Sequence, residues 1–407
     1  MNGALAGITV VDVSRYVSGP LGTFWLANLG AEVVAVERPG GEQSRRMAPF
    51  AHGDGSSDDR PADDGISIPF LKRHRGKRSV CISLDEIEGQ ELVRRLVGSA
   101  DVFVENSRPG AMQRRGLGFE ELSKINPRLV YCSVSGFGPD GPHAGRPAMD
   151  HVVQARSGLM AKTGFADGPP TRVGATVGDF LAATFAALGI VSALRRRDRT
   201  GVGDHVDIAM LDVLSALVWD EPVEHYAALG APVRTGNADP RGAGIDVYAT
   251  SDGHVATCLT SDEQWAQLAR AIGRPEWVVE RQTIRERAHH RDEINVAIAE
   301  WCAARSTLDA ERDLLAMGVP VGAVRAPVDA LTDEQLRHRG FLVPLRHPDA
   351  TAPSGFWGHR LPIAFEGRLR DLEPAERLGA STDAVLRDLG VDDAEIAALR
   401  DRGVIGG

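Results

Sequence analysis

The sequence predicts an α/β protein in which helices cover both faces of a parallel sheet. Through residues 8–135, short apolar runs alternate with stretches of helical spacing, and strands that alternate with helices favour a parallel sheet. Turn-forming strings such as SGP and NSRPG follow these runs. Ligands of such sheets bind beyond the carboxyl ends of the strands, so the site residues are expected there.

The first half of the chain contains three strand, helix and strand cycles. The predicted strands are 8–13, 32–36, 79–84, 101–105 and 129–134, and the predicted helices are 21–29, with Pro20 at the first helical position, 89–97 and 120–125. An apolar run over 180–194 then predicts a long helix. It is shorter than the roughly 20 residues that span a bilayer, so a buried helix of a water-soluble protein is expected.

Beyond residue 200 the pattern changes to a mixture of strands and helices. The predicted elements are a strand over 205–208, a helix over 211–229, a hairpin over 248–259, helices over 262–272 and 292–305, a strand over 342–345 and a helical stretch over 382–402. We expect a large domain from residues 1–200 and 325–407, a connecting segment over 201–220 and a smaller α+β domain over 221–324.

Composition excludes several classes of protein. The net charge of −10 argues against a general nucleic-acid binder, whose affinity depends on neutralising phosphates. The four cysteines lack the spacing of a zinc site, so we predict reduced thiols and no metal. The first residues lack the features of a signal peptide, and a cytoplasmic protein is expected. The string GFGPDG, residues 136–141, matches a dinucleotide fingerprint, but the prolines around it do not allow a helix to begin there.

Basic residues lie at or beside three predicted strand ends. Arg38 follows the second strand, Arg108 follows the strand 101–105, and the run KRHRGKR, residues 72–78, adjoins the strand 79–84. Arginine forks bind phosphate bidentately, yet a basic run is also typical of a solvated face. Both interpretations stay open at this point.

Asp179 directly precedes the apolar run 180–194. Aspartate is a favoured N-cap residue, because its carboxylate accepts hydrogen bonds from the free N–H groups of the first turn. The local pattern therefore predicts that Asp179 caps this helix. Such a position is compatible with chemistry, because helix N–H groups favour the ionised carboxylate.

Nine segments in series, covering nearly the whole chain, resemble one protein family. They are residues 12–41, 75–84, 100–122, 125–142, 149–179 (which ends in GATVGD), 201–212, 235–256, 318–331 and 386–405. Together they are similar to the family III CoA-transferases, the CaiB/BaiF group that includes the carnitine and formyl-CoA transferases. The resemblance implies a Rossmann-like large domain built from both chain ends, a small middle domain and an interlocked homodimer.

The resemblance also implies the site residues. The Asp of the Gly-Asp pair, here Asp179, would be the nucleophile that passes through a mixed anhydride and an aspartyl-CoA thioester. Coenzyme A would be a substrate, with no prosthetic group, and its nucleotide phosphates would lie near Arg38, Arg75, Lys77, Arg78, Asn106 and Arg108. The loop with Gly236, Gly242 and Gly244 is either a plain turn or a flap that excludes water from the anhydride.

Two other functions compete with CoA transfer. An α-methylacyl-CoA racemase shares the fold but has a histidine before the Asp of the segment that here reads MDHVVQ, where this chain has Met149. His151 is two positions further on, which on a helix turns its side chain roughly 200° away. A non-catalytic acyl-CoA binder is the third possibility, and the retained Asp179 argues against it. A formyl or oxalyl substrate is disfavoured, because Val17 is apolar where formyl-CoA transferases have a glutamine.

Overall fold

The computed structural model describes residues 3–60, 65–228, 230, 232–240, 242–349, 353–366 and 370–407. The strands are β1 (Thr9–Asp12), β2 (Glu32–Glu37), β3 (Phe50–Ala51), β4 (Ser57–Asp58), β5 (Ile66–Ser67), β6 (Lys77–Ile82), β7 (Val102–Glu105), β8 (Val130–Ser135), β9 (Asp204–Ala209), β10 (Ile245–Ala249), β11 (His254–Cys258), β12 (Val321–Ala323), β13 (Leu342–Arg346), β14 (Pro353–His359) and β15 (Ile405–Gly406).

Helices occupy most of the chain between these strands. They are α1 (Ser18–Leu29), α2 (Ile68–His74), α3 (Ile87–Ser99), α4 (Phe119–Ile125), α5 (Asp150–Arg156), α6 (Leu159–Lys162), α7 (Val177–Thr200), α8 (Met210–Trp219), α9 (Val223–Ala228), α10 (Asp262–Ala271), α11 (Trp277–Glu280), α12 (Ile284–His289), α13 (Arg291–Ala303), α14 (Thr307–Ala316), α15 (Glu334–His338), α16 (Thr382–Asp388) and α17 (Asp393–Asp401). The α/β class predicted from the sequence is confirmed.

A seven-stranded sheet organises the first of two structural units. Its strand order is β15-β6-β2-β1-β7-β8-β9, and every neighbouring pair is parallel except β15 with β6. The antiparallel edge strand β15 comes from the last residues of the chain, so both chain ends contribute to this sheet. Apolar side chains are buried on both of its faces, as expected for parallel strands covered by helices.

The chain divides into two compact units with boundaries that differ from the expected ones. One unit comprises Met1–Leu159, Val173–Glu221 and Glu334–Gly407, and the other comprises Met160–Arg172 and Pro222–Asp333. The segment expected to connect the domains, 201–220, contributes β9 and α8 to the first unit. In the second unit β10, β11 and β12 form an antiparallel sheet.

Helix α7 is the central helix of the first unit. It is long and apolar enough to cross a membrane by length and composition alone, but a row of small residues with Ile190 is buried against the core. Small side chains let other backbones approach closely, and Gly22 of α1 lies next to Ala183. We therefore interpret α7 as a core helix with one uncovered face.

Several predicted elements change at their ends. The helix 211–229 is divided into α8 and α9, and its last predicted residue, Leu229, lies outside the described residues. The stretch 382–402 is divided into α16 and α17 because Gly390 between them has φ +78°, a conformation that ends a helix. Pro20 is the third residue of α1 rather than the first, because the helix begins at Ser18.

Candidate active site

Helix α7 begins two residues before Asp179, so the N-cap prediction for Asp179 is wrong. The N-cap residue is Thr176, and its side chain makes no capping hydrogen bond. Asp150, the first residue of α5, supplies the cap from another element. Its Oδ1 accepts the N–H of Gly178 at 2.7 Å and the N–H of Asp179 at 3.4 Å.

Because Asp150 satisfies the helix end, the Asp179 carboxyl group is left available for chemistry. Asp150 is itself buried and accepts a hydrogen bond of 2.7 Å from Gln154 Nε2. The Asp179 side chain is half-buried and receives hydrogen bonds from the backbone N–H and the hydroxyl of Ser18. Ser18 is the first residue of α1, so a second helix N-terminus faces this carboxylate.

Opposing influences set the acidity of Asp179. Burial raises the pKa of Asp179 to about 6, and the negative charge of Asp150 adds to this rise. The positive charge of Arg73 and the two hydrogen bonds from Ser18 oppose it by favouring the ionised form. The result is a carboxylate that is more basic than usual yet ionised at neutral pH, as a carboxylate nucleophile requires.

The loop between β1 and α1 is held by two side chains from other parts of the chain. Asn106 donates to the carbonyl oxygen of Arg15 at 2.7 Å and accepts its N–H at 2.8 Å, while buried Glu42 accepts the N–H of Tyr16 at 3.3 Å. Tyr16 has φ +65°, which is uncommon for a residue other than glycine. Such strain persists only where the surroundings enforce it, and this clamp positions Ser18 against Asp179.

Aromatic side chains lie next to the nucleophile candidate. Phe180 contacts Trp25 edge to face, with ring centroids 5.7 Å apart, and Trp25 contacts His359 at 5.4 Å. Burial lowers the pKa of His359, and the positive charges of Arg75, Lys72 and Arg73 lower it further. This histidine is therefore neutral and forms part of an aromatic wall.

Two of the predicted phosphate-binding residues are used inside the fold. The ammonium group of Lys77 is fully buried and contacts Asp12 Oδ2 at 3.1 Å, Thr23 Oγ1 at 2.7 Å and the carbonyl oxygen of Pro20 at 2.8 Å. Arg75 is buried, donates to the carbonyl oxygen of His359 and lies over the ring of Phe24. The side-chain contacts of both residues are internal, which favours a structural role over the phosphate role expected for them.

The other predicted residues lie nearer the surface. Arg78 pairs with Glu32 at 2.8 Å, which reduces its availability for phosphate. Arg38 directly follows β2 and is exposed, with its Nη2 donating to Gln43 at 3.1 Å, and Arg108 is also exposed. Arg38, Arg15 and Arg115 line a cavity at the carboxyl ends of β1, β2 and β6, where ligands of such sheets bind.

The three candidate loop glycines belong to the second unit. Gly244 has φ +75°, donates its N–H to Asn295 Oδ1 at 2.9 Å and would place a Cβ 2.9 Å from Leu259. Gly236 has φ +65° and lies against Phe165, whereas Gly242 has space around it. This environment favours the plain-turn interpretation for Gly236 and Gly244 over a mobile flap.

The position of the racemase histidine carries no proton-transfer group. Met149 there is exposed and has an extended backbone. His151, on the first turn of α5, is exposed. Among the described residues, no group of three His, Cys, Asp or Glu side chains could hold a metal ion.

Comparison with known proteins identifies the class of protein that this fold and site define. The family model "CoA-transferase family III" matches residues 5–382, and the chain belongs to that family. The succinyl-CoA:mesaconate CoA-transferase of Haloarcula marismortui is 38% identical over 355 residues, which cover 86% of this chain and 87% of that one. The acetyl-CoA:oxalate CoA-transferase of Acetobacter aceti is 36% identical and covers 84% and 86%.

A solved structure agrees with these relatives. The crystal structure of a CAIB/BAIF family protein from Brucella suis matches with a TM-score of 0.82 and 33% identity, over 96% of this chain and all of that chain. Membership of this family makes the protein a transferase enzyme, and coenzyme A thioesters are the substrates of that class.

Three residues at the candidate site were not predicted as site residues from the sequence. Ser18, Asp150 and Arg73 surround Asp179, but they come from α1, α5 and α2 and are far apart along the chain. In the sequence, Asp150 is noticeable only because it follows Met149, and Arg73 is one of several basic residues in the run 72–78. No local pattern distinguishes them, because their proximity is created by the packing of these helices.

Proposed function

We propose that this enzyme transfers coenzyme A from an acyl-CoA donor to a carboxylic acid through covalent intermediates on Asp179. The observation that carries the proposal is the half-buried Asp179 carboxylate, which is held by Ser18 and has a pKa raised to about 6. A carboxylate of raised basicity is a better nucleophile than a solvated one.

The reaction proceeds in two symmetrical halves. Asp179 attacks the thioester carbonyl, the C–S bond breaks, and a mixed anhydride and CoA thiolate form. The thiolate then attacks the Asp179 carbonyl and displaces the donor acid, which leaves an aspartyl-CoA thioester. The acceptor acid attacks that carbonyl to form a second anhydride and releases the thiolate, which takes the acyl group of the acceptor and regenerates the carboxylate.

Residues around Asp179 support particular steps. The N–H and hydroxyl of Ser18 orient the carboxylate, and the same donors are placed to stabilise negative charge as it develops on the oxygen of each tetrahedral intermediate. The aromatic wall of Trp25 and Phe180 limits the access of water to the anhydride. Arg38 and Arg108, at the carboxyl edge of the sheet, remain our candidates for binding the CoA phosphates, with Asn106 positioning the loop before α1.

Dicarboxylic acids are the class of substrate that we propose. Both relatives described above carry the name of a dicarboxylic acid, mesaconate or oxalate, as the acceptor. Val17, at the N-cap of α1, is apolar, and we keep the expectation that oxalate itself is disfavoured. We further propose that the enzyme works in the cytoplasm.

The racemase alternative lacks support at the site. Racemisation requires two groups that move a proton across the α-carbon within hydrogen-bond reach. Exposed Met149 cannot transfer a proton, and His151, two positions further along α5, has an exposed side chain.

Trapping of the covalent intermediate tests the proposal. The enzyme is incubated with acetyl-CoA and succinate in deuterated water, quenched with hydroxylamine and mapped by peptide mass spectrometry. We expect a hydroxamate on Asp179, new succinyl-CoA and no deuterium at the α-carbon. In the Asp179→Asn variant, the label and the transfer should both disappear, and retained transfer at the wild-type rate would exclude Asp179 as the nucleophile.

A further inference from the structure

Arg73 is a charged residue beside the nucleophile candidate that the mechanism above does not use. It lies on the last turn of α2, whose neighbouring residues Phe70 and Leu71 are buried in the core. The ring of Phe70 also stacks on His74, with centroids 3.9 Å apart. The helix that carries Arg73 is therefore firmly packed, and only the end of the arginine side chain is free to adjust.

One terminal nitrogen of the half-buried Arg73 side chain lacks a hydrogen-bond partner. Within the described residues, Nη1 is inaccessible to solvent and makes no hydrogen bond. Two other arginines of the same unit have a carboxylate partner: half-buried Arg45 contacts Glu37 at 2.6 Å and buried Arg197 contacts Asp101 at 2.8 Å. An unsatisfied buried donor is costly, so this nitrogen is expected to have a partner when the enzyme binds its substrate.

The charges around Arg73 favour an anion as that partner. Burial lowers the pKa of Arg73, whereas Asp179 and Glu42 attract its positive charge across space. Lys72 and Arg75 add positive charge nearby, and both lower the pKa of His359 together with Arg73. The attraction between Arg73 and Asp179 is Coulombic and includes no hydrogen bond, so the guanidinium can bind a second carboxylate while Asp179 reacts.

We propose that Arg73 binds the distal carboxylate of a dicarboxylic acid whose other carboxylate reacts at Asp179, and thereby selects dicarboxylates over monocarboxylates. This inference rests on the proposed function. The planar guanidinium fork matches a carboxylate in a bidentate arrangement. The packed helix α2 holds that fork within Coulombic reach of Asp179.

Formation of the aspartyl-CoA thioester strengthens the attraction between Arg73 and the acceptor dicarboxylic acid. While Asp179 is ionised, it attracts Arg73 and repels an incoming dianion. Once Asp179 carries coenzyme A as a thioester, its negative charge is gone and Arg73 loses that counter-charge. The affinity of the site for a dicarboxylate therefore rises when the aspartyl-CoA thioester is present, which favours binding of the acceptor to the correct intermediate.

The test compares two four-carbon acceptors, succinate and butyrate, with acetyl-CoA as the donor. The acetyl group has no second carboxylate, so Arg73 affects formation of the Asp179 adduct only through the pKa of Asp179. The rates are therefore measured at about pH 8, where that carboxylate is ionised in both proteins. In Arg73→Met we expect kcat/KM for succinate to fall roughly 10- to 100-fold, the range for a lost charged hydrogen bond. The value for butyrate should stay within about twofold of the wild type. Arg73→Lys should recover part of the loss, and Lys124→Met, an exposed charge on α4, should change neither value.

A binding measurement gives a second readout that does not depend on turnover. Succinate should raise the unfolding temperature of the wild-type enzyme, and it should raise that of Arg73→Met much less. Equal loss of succinate and butyrate transfer, unchanged succinate transfer, or equal stabilisation of both proteins by succinate would overturn the role of Arg73. Hydroxylamine trapping with acetyl-CoA separates the two hypotheses, because a hydroxamate on Asp179 in Arg73→Met upholds the proposed function whatever succinate does.

Discussion

Asp179 illustrates how neighbouring groups make a weak nucleophile useful. A solvated aspartate is a poor base, whereas here burial and the charge of Asp150 raise the pKa of Asp179 to about 6. Arg73 and Ser18 prevent a larger rise, so the group is still ionised at neutral pH. Each of these neighbours changes the pKa of Asp179, so its contribution can be tested by the effect of its substitution on the pH profile of the reaction.

The pH profile should show an acidic limb that belongs to Asp179. Because only the ionised carboxylate attacks, kcat/KM for the acyl-CoA donor should rise with pH through a midpoint of about 6. Ser18→Ala removes a hydrogen bond that favours the ionised form, so its midpoint should move to higher pH. The measurement is initial rate from about pH 5 to about pH 8, with Ser123→Ala on α4 as the control. A midpoint that stays in place or moves to lower pH in Ser18→Ala would contradict this assignment.

Lys77 shows why a basic run is a poor guide to ligand binding. Its sequence context, KRHRGKR before a strand, is the same whether the side chain faces a phosphate or the interior. In the fold its ammonium group is buried with Asp12 and Thr23 below the loop that leads to α1. These hydrogen bonds join Lys77 of β6 to Asp12 of β1 and to the first turns of α1.

At the scale of elements, the junction of α5 and α7 creates the nucleophile position. Local preference assigned the cap of α7 to Asp179, but Asp150 at the start of α5 accepts the free N–H groups instead. The helix thereby gains three residues at its amino end relative to the predicted start at Phe180. Asp179, which the local sequence pattern assigns to the helix cap, is therefore free to react.

Loss of the Asp150 side-chain oxygen that caps α7 should destabilise the protein. In Asp150→Ala, the N–H groups of Gly178 and Asp179 lose their acceptor, and we expect the free energy of unfolding to fall by about 1–2 kcal/mol. Asp150→Asn keeps an acceptor oxygen and should retain most of that stability. Urea denaturation of the three proteins checks this, and equal destabilisation by both substitutions, or none by alanine, would show that the cap is unimportant.

At the scale of the whole molecule, one face of α7 leaves apolar side chains exposed to solvent. Phe185 and Leu188 are three residues apart and are 44% and 59% exposed, so they form an apolar stripe along a long helix. Exposed apolar stripes of this kind mark association surfaces. The interlocked homodimer implied by the sequence resemblance would cover such a stripe with a second copy of the chain.

The oligomeric state tests this interpretation directly. We expect the wild-type enzyme to elute as a dimer in size-exclusion chromatography with light scattering. Leu188→Glu, which places a charge in the stripe, should shift the protein toward the monomer, whereas Leu308→Glu, at an exposed position of α14, should not. A monomeric wild type, or an unchanged dimer in Leu188→Glu, would exclude α7 as the interface.

Periodicity and turn residues determined the α/β class and the order of β1, α1, β2, β6, α3, β7, α4 and β8, because these depend on neighbours along the chain. Asp179 became a nucleophile candidate only through the resemblance to a family. Apolar alternation within a few residues decides whether a strand or a helix forms. The same reasoning failed at the cap of α7, and it gave no sign of the internal contacts of Lys77 and Arg75, because in each case the partner is distant in sequence. Only the tertiary structure brings Ser18, Arg73 and Asp150 to one carboxyl group, because the burial and charge that set its reactivity arise from the packing of separate elements.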